Sequence, residues 1–391
     1  MAADSPAPVL VLGGLISALG ALRSLALRGI RAHAVGDVAA YVRKSRHHRP
    51  LASSSCPASV EALTTMLEDL PLDRAVLMPA SDHWVAAAAR LNTSLSARFP
   101  SSAPDAAVLD VFLDKAKFLD ALERFSISRP ETIRVRSAAD LQGCETSGGR
   151  KWFLKPVDSQ RFKSRFGVKA MRVASRAEAL ARWETIREAG LEIVLQEYVP
   201  GGADRHFFVD GFIDRTGTVR AVFARRRIRM HPPDFGDSSY MTSIPREDAA
   251  AAIEGLIRLL LGVGHRGIFS AEFKRDPRDD VFRVIEVNVR PWAYVEFATR
   301  CGVNTPAMAH RDALGLDVAS IDTYAAGMSQ ALFPQDFLAC RKLAGDGRLR
   351  WTGAMGSWAR ASDAVFRWDD PLPGVFRLLE IAGRRVARTR Q

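Results

Sequence analysis

Cysteine is scarce in this chain. Cys56, Cys144, Cys301 and Cys340 are the only four among 391 residues, and they lie far apart. No CxxC pair or neighbouring histidine cluster accompanies them, which argues against a disulfide scaffold and predicts free thiols in a reducing compartment. The eight histidines form no HExxH or comparable spacing, so no zinc motif is legible. Nor is there an uncharged apolar run of about 18 residues, the length a membrane-spanning helix needs. The most apolar stretch, "VLVLGGLISALGALRSLAL", has the look of a signal sequence, but Asp4 precedes it, no basic segment leads into it, and Arg23 and Arg28 interrupt its far half. A strand, a glycine turn and a helix explain it better, and a cytoplasmic protein is expected. Internal repeats and low-complexity tracts are absent as well.

What is present fits a folded protein: 47% of residues are hydrophobic and 25% charged, enough for about two or three domains. The formal charge is +11. Much of it is arginine spread along the chain, apart from Arg225 to Arg229 and the tail "GRRVARTRQ". Spread charge is a weak signal for nucleic acid and suits a protein that handles phosphates. Small-molecule partners are therefore expected rather than nucleic acid or a membrane span, with a homodimer an open alternative.

The first hundred residues alternate strand and helix. "PVLVLGG", "IRAHAVGD" and "DRAVLMPASD" read as strands, and "SALGALRSLALRG" and "PASVEALTTMLEDL" as helices. That alternation predicts a parallel doubly wound sheet. "DKAKFLDALERFS" reads as a helix capped by Asp114. From about residue 131 strands and hairpins dominate: "KWFLKPVD", "GVKAMRV", "EIVLQEYVPGG" and a hairpin turning at "DRTG". A polar loop (231–247) and the helix "REDAAAAIEGLIRLLLGVG" follow, and the last sixty residues read as an accessory wrap.

One strand poses a question. In "VFRVIEVNVRPW" the strand formers carry Glu286, Asn288 and Arg290 at every second position, so these three share a face while Ile285, Val287 and Val289 turn to the core. Upstream, "GIFSAEFKRD" puts Ser270 and Glu272 on one face, and "DPRDD" supplies the turn of a hairpin. Either register places Glu272 beside Glu286 and Asn288. Facing carboxylates repel, and a divalent cation between them removes the repulsion. Oxygen ligands alone favour Mg²⁺ or Mn²⁺. The bland alternative is a surface hairpin with Arg290 paired to Glu286.

Lys155, in the apolar "WFLKP", needs a counter-charge, and Lys169 follows in the next short strand; a phosphate chain would serve both. A side chain that snorkels at a strand end is the alternative for Lys155. "QEYVPGG" offers an apolar edge with free backbone groups for an adenine, and Asp204 stands just past its turn.

The order "FLKP", "GVKA", "LQEYVPGG", "FSAEFKRD", "RVIEVNVRP" resembles the ATP-grasp superfamily over residues 114 to 310, and most of all its predicted carboxylate–amine ligases of the D-aspartate ligase type. "ARRRIRMHPPDFGDSS" is similar to that subgroup's loop before the metal strands. The resemblance implies an α/β chain, α+β in its central part. It places a Rossmann-like domain at 1–113, two ATP-grasp subdomains at 114–192 and 193–330 with the nucleotide between them, and an accessory segment at 331–391. It implies that Lys155 and Lys169 bind the phosphates of ATP, that Gln196, Glu197, Tyr198 and Val199 hold adenine, and that Asp204 meets the ribose. Glu272, Glu286 and Asn288 are the implied Mg²⁺ ligands, with Arg290 and Lys169 in catalysis. The segment "DSQRFKSRFG" departs from the family's glycine-rich phosphate-covering loop, although Gln160, Arg161 and Lys163 retain the charge and polarity to close over phosphate. Arg225, Arg227 and Arg229, with Gly236, Ser238 and Ser239, are candidates for holding the substrate carboxylate or acyl phosphate; a solvated hairpin edge is the alternative.

The implied chemistry joins a carboxylate to an amine, such as an amino acid or peptide-like molecule, at the expense of ATP. A rival is a nicotinamide-dependent oxidoreductase, since "VLVLGGLISALG" runs from strand to glycines to helix and Asp37 ends the second strand. The spacing of Gly13, Gly14 and Gly20 does not match G-x-G-x-x-G. Carboxylation or phosphoryl transfer on the same scaffold, and a non-catalytic ATP-binding module, complete the alternatives.

Overall fold

The glycine turn after the first strand shapes the N-terminal third. The computed structural model describes residues 6–51, 59–143, 150–157, 159–168, 170–234 and 236–389. In it, β1 (Val9–Leu12), β2 (Ala32–Val35) and β3 (Val76–Pro79) form a parallel sheet of order β2-β1-β3. All four β1 side chains are buried, because helices cover a parallel sheet on both faces. Gly13 and Gly14 hold φ values of +65° and +97°, a region that glycine enters at little cost, and they turn the chain into the helix Ile16–Ala26. Ser59, Ser81 and Asp114 each accept a backbone N–H bond at the start of a following helix, which satisfies donors the helix itself leaves open.

A second, antiparallel sheet has the order β4-β7-β5-β6, formed by β4 (Thr132–Val135), β5 (Trp152–Pro156), β6 (Met171–Val173) and β7 (Ile193–Glu197). The helix Arg176–Glu188, capped by Ser175, packs Ala179 and Ile186 into its core beside Trp152, Leu154 and Leu195. Residues expected to form a loop over phosphate instead make the short helix Ser159–Phe166, anchored by the fully buried Phe162.

The third sheet has seven strands in the order β12-β11-β8-β9-β10-β13-β14. They are β8 (His206–Ile213), β9 (Val219–His231), β10 (Asp237–Ser243), β11 (Gly267–Arg275), β12 (Phe282–Asn288), β13 (Ser329–Ala331) and β14 (Ala361–Asp363). The segment 231–247, read from sequence as loop, thus contains an inner strand. Its composition misleads because the serines of β10 are buried with partners: Ser238 accepts from Arg227, and Ser239 donates to Asp336. Buried polar groups are tolerated on those terms. β13, just ahead of the last sixty residues, and β14 within them extend this sheet. Among the described residues no helix is long and apolar enough to cross a membrane.

The helix Ala250–Gly262 covers the opposite face of the large sheet with Leu256, Leu259 and Leu260. Just beyond it, His265 is fully buried edge-on to Phe112 and Phe269, at 5.9 and 6.3 Å. Burial pushes its pKa down to about 3. Between that value and the ordinary 6.5, the unfolded chain takes a proton that the folded chain refuses. His265 therefore contributes its full stability above about pH 6.5 and loses it as pH falls, by up to about 1.4 kcal/mol per pH unit. Denaturant titrations at pH 7 and pH 5 should show His265→Phe losing less stability than the parent; an identical loss would contradict the assignment.

Candidate active site

Four neighbouring strands of the large sheet turn alternate side chains to one face. β11 and β12 set Ser270 opposite Asn288 and Glu272 opposite Glu286. β8 sets Asp210 opposite Ser270 and His206 opposite Lys274, and β9 sets Arg225 opposite Phe208. Directly opposed residues share a face. The polar row read on β12 therefore continues across β11, β8 and β9 to Arg225, Arg227 and Arg229. The ladder also shifts register: after Glu272 pairs with Glu286, Phe273 pairs with Val284, leaving Ile285 unmatched. Strict alternation would bury Ile285. The bulge instead gives the core position to Val284 and brings Ile285 to the wall of a cleft. Bulges recur beside active sites because they re-aim side chains.

That cleft, of about 1140 Å³, lies between this face and the four-stranded sheet. Lys155, Gln196, Glu197, Tyr198 and Val199 line one wall, and His206, Arg227, Gly236, Glu272 and Lys274 another. Glu272 accepts from His206 Nδ1 at 2.6 Å and pairs with Arg227 at 3.2 Å. Burial opposes its charge, but Arg227, His206 and Lys155 outweigh that and hold its pKa at about 2. Glu286 behaves oppositely: its side chain reaches solvent, yet loss of hydration beside the protein, then the charges of Glu272 and Asp82, push its pKa up. Lys155 makes no hydrogen bond or ion pair among the described residues; burial lowers its pKa, against the attraction of Glu286 and Glu272. Two neighbouring carboxylates, one easily charged and one reluctant, thus face an ammonium group without a direct partner. A cation would relieve the first strain and a phosphate the second.

Arg290 does not pair with Glu286. Its guanidinium forks onto Asp82 at 2.6 and 3.1 Å and donates to Asn288 Oδ1 at 3.0 Å. Asp82 opens the helix after β3, so the N-terminal sheet supplies a carboxylate to this end of the site. Sequence reasoning missed Asp82, His206 and Lys274. The signal for Asp82 was its place at the carboxyl end of a parallel strand, and for Lys274 its even spacing from Glu272.

The three candidate arginines separate. Arg225 is bound to Asp210 at 2.6 and 3.3 Å and covers the Phe208 ring at 4.0 Å. Arg229 is bound to Asp336 at 2.6 Å, and Ser239 donates to the same carboxylate. All three arginines are buried and ion-paired, Arg227 with Glu272; what sets Arg227 apart is that it, steadied by Ser238 at 2.7 Å, lines the cleft, and Arg225 and Arg229 do not. Gly236 is confined: a Cβ there would fall 2.2 Å from the His231 carbonyl carbon.

The connection after β7 differs from the expected free edge. The Glu197 and Tyr198 amides donate to the carbonyls of Glu131 and Lys151 at 2.8 and 2.7 Å, and the Glu197 carboxylate is bound to Arg278. Gln196 donates to Thr132 at 3.0 Å, and Val199 is buried. The Tyr198 ring does face the cleft, with the Lys274 ammonium 4.2 Å from its centre. Asp204 is exposed and held by Arg226, at 2.7 Å through its carbonyl and 3.4 Å through its carboxylate. Lys169 lies outside the described residues, as do the side chains of Gln160 and Lys163; Arg161 is exposed.

Among the described residues no group of three or more His, Cys, Asp or Glu side chains is placed to hold a metal ion by itself. Glu272, Glu286 and Asn288 offer oxygen only, a set that fits a hard ion completed by water and phosphate. The N-terminal glycine turn is occupied differently. Asp37 accepts from the Trp84 indole at 2.9 Å, and a Cβ on Gly13 would fall 2.3 Å from that indole. The chain's own tryptophan thus packs on the glycine turn and takes up Asp37, which weighs against the oxidoreductase alternative.

No family model matches the chain. It is 22% identical over 260 residues to a D-aspartate ligase of Enterococcus faecium, covering 63% of this chain and 61% of that protein, so it spans about three fifths of that relative's length. Among solved structures it is similar to the biotin carboxylase domain of Hydrogenobacter thermophilus 2-oxoglutarate carboxylase, bound to MgADP, ADP and bicarbonate. The TM-score is 0.63 at 13% identity, over 82% of this chain and 73% of that one. It is also similar to an L-amino acid ligase of Bacillus licheniformis, with a TM-score of 0.56 at 16% identity, over 80% and 75% of the two chains. The architecture and the D-aspartate ligase likeness agree with the motif order read in the sequence: the chain has the ATP-grasp fold.

Proposed function

We propose that this protein is an ATP- and Mg²⁺-dependent ligase that activates a carboxylate as an acyl phosphate and joins it to an amine. The observation that carries the reading is the Glu272–Glu286 pair opposite one another on the ladder, with Asn288 on the same face and Lys155 within electrostatic reach. In the first step a carboxylate oxygen of the substrate attacks the γ-phosphorus of ATP and ADP leaves. In the second the amine nitrogen attacks the acyl carbon, inorganic phosphate leaves and the nitrogen gives up its surplus proton.

The chain's part is positioning and charge. Lys155, and by resemblance Lys169, would bind phosphate oxygens. Tyr198 and Val199 would border the adenine, and Gln196, Glu197 and Asp204 would support that wall and the ribose. A divalent cation held by Glu272, Glu286 and Asn288 would neutralise charge on the phosphates. Arg290, already forked onto one carboxylate, would stabilise charge on the acyl group. Arg227 is the arginine we assign to the substrate. The architecture is shared with carboxylases, and the similarity to D-aspartate ligase favours amide formation over carboxylation.

Glu286→Gln should lower Mg-dependent ADP release by roughly 10²–10³-fold while the circular dichroism spectrum is kept; undiminished release would reject the site. ADP release screened against pairs of carboxylic acids and amines should require both partners, whereas release with an acid alone would point to another acceptor. Arg225→Met, which strands the buried Asp210 charge, should cost about 3–5 kcal/mol of stability by denaturant titration. A loss near zero would return Arg225 to the list of free substrate groups.

A further inference from the structure

The helix Leu372–Thr389 turns its apolar side outward. Its inner side is accounted for: Pro373 and Gly374 are buried, Lys44 lies 4.8 Å from the Phe376 ring, and Arg377 lies 5.9 Å from the Tyr41 ring. On the outer side Leu372, Val375, Leu378 and Leu379 are 50, 43, 51 and 62% exposed, and Ala382 is exposed as well. Positions 372, 375, 379 and 382 are neighbours on one helical face. A surface helix ordinarily presents its polar residues to water and its apolar stripe to the core, so this face is built to be covered.

Two further observations indicate what covers it. Trp368 is 91% exposed. Its ring stands edge-on to Phe366 at 5.0 Å, and Phe366 contacts Gly374, so the indole projects beside the start of the same helix. An exposed indole beside leucines suits the boundary between lipid headgroups and acyl chains. Past its inward-facing Arg377, the sequence of this segment is also basic, with Arg384, Arg385 and Arg388 against Glu380, in a chain of net charge +11. That charge complements an anionic surface. The apolar area is small: four partly exposed aliphatic side chains and one indole fall below the ~800 Å² per partner of a stable protein interface. A second copy of the chain is therefore the poorer occupant.

We propose that this helix docks the protein on an anionic lipid surface, lying in the membrane plane with Trp368 and the leucine stripe among the headgroups. The test uses the full chain with vesicles of phosphatidylcholine containing about a third phosphatidylglycerol, compared with pure phosphatidylcholine. Binding by co-sedimentation should be at least about tenfold stronger on the anionic vesicles, weaken with added salt, and be accompanied by a blue shift of tryptophan emission that Trp368→Ser reduces. The double variant Leu378→Glu, Leu379→Glu changes exposed side chains only; it should keep its fold and lose sedimentation. Failure to bind anionic vesicles, equal binding to neutral ones, or binding that survives the double variant would overturn the proposal. So would sedimentation-velocity data in which the double variant dissolves a dimer, since the face would then cover a second copy.

Discussion

Two carboxylates facing each other across an antiparallel ladder are the constraint on which the site depends. Glu272 and Glu286 are direct partners on β11 and β12, where like charges destabilise a sheet. The chain does not relieve this symmetrically. Arg227 and His206 converge on Glu272, whereas among the described residues Arg290 and Lys155 act in favour of the Glu286 charge without bonding to it directly. One secure charge and one unsettled charge are what the proposed cation would meet, and the proposed ligase chemistry rests on that reading.

The surrounding ion pairs hold the shape of this face. Arg225 with Asp210 and Arg229 with Asp336 are buried on both sides, and the second pair ties β9 to the C-terminal segment. Arg23 does the same for the N-terminal helix: it bonds Glu296 at 3.1 Å and Asp370 at 3.0 Å while fully buried. Such pairs add little net stability compared with apolar packing, but removing one partner is costly. They fix where elements distant in sequence meet. Asp82 and Arg290 are a further long-range pair, more exposed, and they bring the first sheet to the edge of this polar face.

Period-2 alternation made the hairpin of Glu272, Glu286 and Asn288 legible before any coordinates, because a strand's two faces are set by the backbone alone. The helix cap at Asp114 was legible for a similarly local reason. The bulge at Ile285 was not, since one extra residue in a ladder leaves no compositional mark. The arginines of β9 were read as a unit, and their sharing of a face is correct. Whether each is free depends on Asp210 and Asp336, whose positions follow from tertiary packing. Strand β10 looked like a loop because serine is a turn residue until a buried partner claims its hydroxyl. The backbone amides at the end of β7 looked free because the carbonyls that claim them, Glu131 and Lys151 just ahead of β4 and β5, are remote in sequence.

The most direct test of the central claim is anomalous diffraction from crystals grown with Mn²⁺ and a non-hydrolysable ATP analogue. A manganese peak within bonding distance of Glu272 and Glu286, with the triphosphate alongside Lys155, is the predicted result. A peak bound elsewhere, or a triphosphate that leaves these two carboxylates without a metal, would contradict it.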